Sequence, residues 1–265
     1  MIRLIALDID DTLVISGKPV SPRNCSAIAK AREQGVKVVI ATGRGFKGSA
    51  PIREQLGLTE TVINYGGALV SDGVTGEPLY THYLTADEVR ACFCAADAYG
   101  LHAQIYNGDE VIFRSENEFT RQYCGVMKLP YRVDPDLLEH NLSTTPKVLM
   151  YCDPSVQTEM MQNIGAMLPP SLHLLTSKAG FLEIGSNATD KASALEWIAS
   201  HYGIAREDVA AIGHNTLDLG MIRWAGVGCC VANGAEIVKA AADMLLPSCA
   251  DDGVAYYIET EVLKA

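Results

Sequence analysis

Two aspartates, Asp8 and Asp10, stand two positions apart at the end of the apolar run Ile2-Arg3-Leu4-Ile5-Ala6-Leu7. Side chains two apart on a strand leave it on the same side. Both carboxylates therefore point to one side of the carboxyl edge, where open α/β sheets bind ligands. A carboxylate there can serve as a nucleophile or exchange a proton. Alone, the pair reads equally well as an Asp-rich turn. It has company, however: Thr42-Gly43-Arg44 follows a second apolar run, Lys191 opens a helix, and Gly213-His214-Asn215-Thr216-Leu217-Asp218 follows a later run. Carboxylates, a hydroxyl and an ammonium at the ends of these runs would all fall at one sheet edge. Thr42 by itself reads as a turn residue. Lys191 lies in a helix's first turn, the wrong end of the dipole for a cation, which argues for an anionic partner.

The elements that must carry these groups follow from periodicity. Residues 2–7, 36–41 and 61–64 read as short buried strands, and 22–34 and 49–56 as helices closed by Gly35 and Gly57. Toward the end come a helix at 191–202, a strand at 209–212, a helix at 217–224, a strand at 227–231, a helix at 235–241 and a strand at 244–246. This alternation predicts a parallel sheet covered on both faces. Between about 84 and 183 the rhythm changes. Thr85-Ala86-Asp87-Glu88 is a capping box opening a helix to about 99. Runs at 102–106 and 110–114 pair through Asn107-Gly108-Asp109 as a hairpin. A helix near 117–126, a strand at 147–152, a helix at 155–167 and strands at 173–176 and 181–184 complete the middle. The organisation expected is an α/β core of residues 1–83 and 184–265 with an α+β unit of 84–183 inserted.

Bulk properties narrow the partners. A 265-residue chain that is 48% hydrophobic can bury a substantial core. Its formal charge of −11 and the absence of clustered Lys and Arg argue against nucleic acid and anionic membranes. The first apolar run meets acids too early for a signal peptide or a membrane span. Eight cysteines without a Cys-x-x-Cys read as reduced thiols in mostly apolar surroundings, so a cytoplasmic location is expected. Gly43-Arg44-Gly45-Phe46-Lys47-Gly48 has the form of a dinucleotide fingerprint, but Asn64 stands where the ribose-binding acid is required.

The string Leu7-Asp8-Ile9-Asp10-Asp11-Thr12-Leu13, with Thr42, Lys191 and the 213–218 segment, resembles the four signature motifs of the haloacid dehalogenase (HAD) superfamily. The layout, with Ile63-Asn64-Tyr65-Gly66-Gly67-Ala68, Leu182-Glu183-Ile184 and Asp252-Gly253-Val254-Ala255, is similar to its Cof-like subgroup with a type IIB cap. That resemblance implies a Rossmann-like core with an α+β cap for substrate specificity, and a metal-dependent phosphatase acting on small phosphorylated metabolites, sugar phosphates foremost. Asp8 would be the nucleophile and Asp10 the acid and base. Thr42 and the Gly43 amide would hold the phosphoryl group, Lys191 would neutralise it, and Arg44 and Asn187 would join Gly43 in binding substrate, although Arg44 reads equally as a surface ion-pair partner. Mg²⁺ would be held by Asp8, Asp10 and the fourth motif, where His214 and Asp218 are the candidates.

The fourth motif departs from the family's pattern. His214 stands at the direct metal-ligand position and Leu217 replaces an Asn. Imidazole suits softer metals than magnesium. Three outcomes stay open: coordination by Asp218, recruitment of a softer divalent metal by His214, or phosphate binding with impaired turnover. A hydrogen-bonded histidine with no metal contact is a further reading. The alternative function is a non-catalytic phosphometabolite-binding protein on the same fold. Asp11 also stands where Gly is usual, which Asp tolerates through its access to left-handed angles.

Overall fold

Leu4, Ile5, Ala6 and Leu7, none of them exposed, form β1 (Leu4–Leu7) at the centre of the first sheet of the computed structural model. The structure describes every residue except Ser16, Asn141, Ser143 and Ala265, and of Met127 the backbone alone. Two compact units divide the chain. One contains Met1–Arg44, Ser49–Tyr80 and Asp190–Ala265, the other Gly45–Gly48 and Thr81–Thr189.

In chain order the first unit continues with α1 (Pro22–Glu33), β2 (Lys37–Ala41), α2 (Phe46–Leu56), β3 (Val62–Asn64), β4 (Leu69–Ser71) and β5 (Pro78–Thr81). The second unit supplies α3 (Ala86–Ala98), β6 (His102–Asn107), β7 (Glu110–Phe113), α4 (Glu118–Met127), β8 (Tyr131–Val133), β9 (Val148–Tyr151), α5 (Gln157–Met167), β10 (Leu172–Thr176) and β11 (Phe181–Ser186). The chain then returns to the first unit with α6 (Lys191–His201), β12 (Val209–Gly213), α7 (Leu219–Trp224), β13 (Val227–Val231), α8 (Glu236–Lys239), β14 (Met244–Leu246) and α9 (Gly253–Tyr257).

The first sheet runs β14-β13-β12-β1-β2-β3-β4-β5. From β14 to β3 every pairing is parallel. β1, β2 and β3 step outward one way and β12, β13 and β14 the other, so the order reverses between β1 and β12. That junction is the switch point at which such sheets form a ligand crevice. Both faces are covered. Leu4, Ala6, Val39 and Ala41 pack with Ala194, Leu195 and Ile198 of α6, while the alternate residues Ile5, Leu7, Val38 and Ile40 are equally buried.

The sheet is not wholly parallel, because β3 turns back into antiparallel β4. The turn runs through Tyr65, Gly66 and Gly67, all at positive φ. Helix ends follow their local chemistry: Ser21 caps α1 ahead of Pro22, and Gly35 at φ 85 closes it. The helix expected at 217–224 starts as a 3₁₀ turn, Thr216–Asp218, before α7.

The second unit's sheet runs β10-β11-β9-β6-β7-β8. One face packs Ala103, Ile105, Val148, Met150, Leu182 and Ile184 into a core with Val89 and Phe93 of α3 and Ile164 of α5. Thr85 and Glu88 make the capping box of α3, and β6 and β7 form the hairpin around Gly108. Among the described residues no helix is long and apolar enough to cross a membrane.

Candidate active site

At the carboxyl end of β1 the Asp8 amide donates to Ile212 of β12 at 3.1 Å, extending the ladder by one residue. The chain then reverses tightly: the amides of Thr12, Leu13 and Val14 all donate to the Ile9 carbonyl, and Asp11 sits in the left-handed region at φ 54. This is the backbone freedom expected of Asp at that place. Asn233 Nδ2 pins the turn by donating to the Asp11 carbonyl at 2.7 Å. The reversal brings the Thr12 hydroxyl back onto Asp8, donating to Oδ2 at 2.9 Å.

Lys191, the first residue of α6, is 1% exposed, and its Nζ donates to Asp8 Oδ1 at 2.8 Å and Asp218 Oδ1 at 2.6 Å. Two carboxylates more than offset the unfavourable helix dipole. Asp218 is fully buried, and its Oδ2 accepts from the His214 and Asn215 amides at 2.9 and 3.1 Å. The fold permits this closeness because residue 213 lacks a side chain. A Cβ on Gly213 would lie 2.4 Å from the Asp218 Cβ. Gly213→Ala is therefore expected to displace Asp218 and with it Lys191, lowering phosphatase kcat/KM by about 10²-fold, as steady-state kinetics would measure.

His214 Nδ1 lies 3.0 Å from Asp8 Oδ2 and 3.0 Å from the Thr12 hydroxyl. A carboxylate only accepts, so Nδ1 carries the proton. The opposite nitrogen, Nε2, lies 3.3 Å from Asn215 Nδ2. That amide is oriented because its Oδ1 accepts from the Leu217 amide at 2.8 Å.

These contacts set the charges. Burial would raise the Asp8 carboxyl, but the Lys191 ammonium and the His214 hydrogen bond overcome it and hold the group at about 2. Burial, seconded by the Asp8 charge, pushes Asp218 up while Lys191 pulls it back. Lys191 is held above its ordinary value, since the Asp218 and Asp8 charges outweigh its burial. His214 is likewise raised: burial opposes its charged form, and the hydrogen bond to Asp8 and the two carboxylate charges prevail.

Thr42 directly follows β2, the strand beside β1, and is buried; its hydroxyl accepts from the Arg44 amide at 3.2 Å. The Arg44 guanidinium grips Asp10 with two bonds, Nε to Oδ2 at 2.9 Å and Nη2 to Oδ1 at 2.7 Å. Gly43 lies between Thr42 and Arg44 in this loop. Asn187 lies in the second unit, where its Nδ2 donates to the Pro170 and Leu172 carbonyls. The geometry thus joins Asp8, Lys191, His214 and Asp218 directly, and Thr42, Arg44 and Asp10 in a second chain of contacts. Thr12, Asn215 and Gly213 carried no assigned role in the sequence reading. Thr12 alone had a signal, as the hydroxyl of Asp-x-Asp-x-Thr.

The whole of this geometry lies within a chain that matches the haloacid dehalogenase-like hydrolase family over residues 5–258. The chain belongs to that family. Among its HAD relatives is phosphatase YwpJ of Bacillus subtilis, 27% identical over 286 residues, covering 97% of this chain and 99% of that protein. Another is the 5-amino-6-(5-phospho-D-ribitylamino)uracil phosphatase YitU of the same organism, 27% identical over 266 residues, with 97% and 96% covered. A HAD-like hydrolase from Bacteroides thetaiotaomicron has a similar solved structure, with a TM-score of 0.86, 29% identity and coverage of 98% and 99%.

HAD phosphatases use a divalent metal, and Asp8, His214 and Asp218 each offer a donor atom within 4.8 Å of the others. Of the three, Asp218 is the least accessible, fully buried with its oxygens accepting from one ammonium and two main-chain amides. Asp8 Oδ2 and His214 Nδ1, 3.0 Å apart, have the spacing of adjacent ligands on a cation bonded at about 2.1 Å. The group fits a divalent ion of mixed oxygen and nitrogen preference, once Nδ1 has given up its proton.

Proposed function

We propose that this HAD-family chain is a phosphatase that transfers the phosphoryl group of a small phosphorylated metabolite, sugar phosphates foremost, to Asp8 and then to water. The observation that carries the reading is the buried Lys191 bridge, 2.8 Å from Asp8 and 2.6 Å from Asp218, at the sheet's switch point. Full-length relatives named as phosphatases support it.

Asp8, held ionised and oriented by Lys191 and Thr12, attacks phosphorus; the bond to the leaving oxygen breaks as Asp10 gives that oxygen a proton. In the second half Asp10 takes a proton from water, the water oxygen bonds phosphorus, and the aspartyl-phosphate bond breaks to release phosphate and restore Asp8. The Thr42 hydroxyl and Gly43 amide steady the phosphoryl oxygens, and Lys191 neutralises them. Asp8, Asp10 and His214, backed by Asp218, are the residues that would hold a divalent cation, Mg²⁺ or a softer metal, whose chemistry there is charge neutralisation. We assign the choice of leaving group to the inserted α+β unit of residues 84–183, with Asn187 beside it. Cysteines described as free thiols suit a cytoplasmic setting.

The test is hydrolysis of 4-nitrophenyl phosphate and of a panel of sugar phosphates with Mg²⁺, Mn²⁺, Co²⁺ and Zn²⁺ in turn. Turnover with at least one metal is expected, and no turnover with any metal would leave the phosphometabolite-binding alternative. His214→Asp replaces imidazole by a hard oxygen donor and is expected to raise magnesium-dependent kcat/KM at least about tenfold. Unaltered rate and metal preference in that variant would remove His214 from the ligand position.

A further inference from the structure

The Asp10 carboxylate is used twice in the proposed reaction, and it is not left to move freely. Both its oxygens accept from Arg44, Nε to Oδ2 at 2.9 Å and Nη2 to Oδ1 at 2.7 Å, the planar two-bond geometry that fixes direction as well as distance. Arg44 is itself fixed at its base. Its amide donates to the Thr42 hydroxyl at 3.2 Å, and its carbonyl accepts from the Tyr65 amide at 3.1 Å. Tyr65 sits at φ 51, a conformation that strains a non-glycine residue, and the Gly66 amide beside it donates to the Thr42 carbonyl. The strained turn after β3 thus braces the loop that carries Arg44. Stability does not account for the pair, since both side chains are 24% exposed and ion pairs that open to solvent contribute little.

We propose that Arg44 is a positioning residue for Asp10, holding that carboxylate toward the leaving oxygen, and that it does not bind the transferred phosphoryl group. This inference rests on the phosphatase reading and departs from the expectation that Arg44 contacts substrate. It serves one step: Asp10, carrying on one oxygen the proton it takes from water in the hydrolytic half, passes that proton to the leaving oxygen as the bond to phosphorus breaks, while Arg44 keeps hold of the other oxygen. The value of that alignment depends on the leaving group. An alkoxide departs only with a proton, whereas 4-nitrophenolate departs without one.

The experiment compares kcat/KM, which covers the steps through leaving-group departure, for an alkyl phosphate and for 4-nitrophenyl phosphate. The proteins are the wild type, Arg44→Met, Arg44→Lys, Asp10→Asn and the double variant Arg44→Met with Asp10→Asn. Arg44→Met is expected to lower kcat/KM for the alkyl ester by about 10²-fold, and for the aryl ester by less than about tenfold. In the Asp10→Asn background the same change is expected to cost the alkyl ester no more than about twofold further, because the partner it acts through is gone. Arg44→Lys, which keeps the charge and loses the planar fork, should show the same leaving-group contrast more weakly, and it serves if the Met variant fails to fold. Equal losses on both esters with a raised KM would make Arg44 a phosphate ligand. Additive losses in the double variant would show that it acts apart from Asp10, and no loss would make the pair a plain ion pair; each of these overturns the proposal. A wild-type chain that hydrolyses neither ester overturns the phosphatase reading itself, and this inference with it.

Discussion

Asp8→Asn is expected to lower phosphate-ester hydrolysis by at least about 10⁴-fold, with no phosphoenzyme trapped on acid quenching of the variant. The amide is nearly the size of the carboxylate, and its oxygen can still accept from Lys191, so the pocket's shape should survive. What disappears is the electron pair that forms the bond to phosphorus, together with the charge held available by depressing Asp8 to about 2. Circular dichroism and the melting curve should confirm that the variant is folded. Residual turnover within tenfold of wild type would show that the nucleophile lies elsewhere.

The second large effect is on stability. Lys191→Met keeps the length of a side chain that is 1% exposed but removes the ammonium that bridges Asp8 and Asp218. Breaking a buried ion pair by deleting one partner costs about 3–5 kcal/mol, because the remaining charge is left without compensation. The variant should therefore melt roughly 10 °C lower at pH 7.

The pH dependence separates this from simple loss of packing. In the wild type the folded Asp8 carboxyl lies below its unfolded value. Its contribution is present above the unfolded pKa of about 3.9 and is lost as pH falls toward 2. Without Lys191 two buried carboxylates face each other, so at least one is raised above its unfolded value, and a raised carboxyl destabilises at neutral pH and relaxes on protonation. The deficit of the variant should shrink as pH falls from 7 to about 4.5. A deficit that stays constant across that window would mean that Lys191 stabilises by packing alone.

Much of this was legible in the sequence, for identifiable reasons. Lys191 announced itself by standing at the wrong end of a helix, and the buried carboxylates at its tip are the reason it can stand there. The parallel sheet covered on both faces followed from strand and helix alternation, and the left-handed Asp11 from the side chain's known tolerance. Other features had no local signal. β8 is exposed along all three of its residues, so it carries no apolar run to mark it. The pairing of Arg44 with Asp10 joins residues 34 apart across two strand ends. The tautomer of His214 depends on an Asn215 amide fixed by a backbone group, which composition and spacing do not encode. The hold on Asp218 likewise comes in part from main-chain amides, so a reading of side chains could list it only as one metal ligand among several.

The pairing of Leu4 with Val209, strand β1 against β12, has a consequence for how the molecule comes into being. The ribosome makes these partners some 200 residues apart, and at about 5–20 residues per second β1 waits about 10–40 s for its neighbour to emerge. Throughout that interval one edge of a fully buried strand has no mate, while the inserted unit is synthesised and free to fold first. The cluster of Asp8, Lys191, His214 and Asp218 thus assembles only when residues 190–231 fold back onto β1.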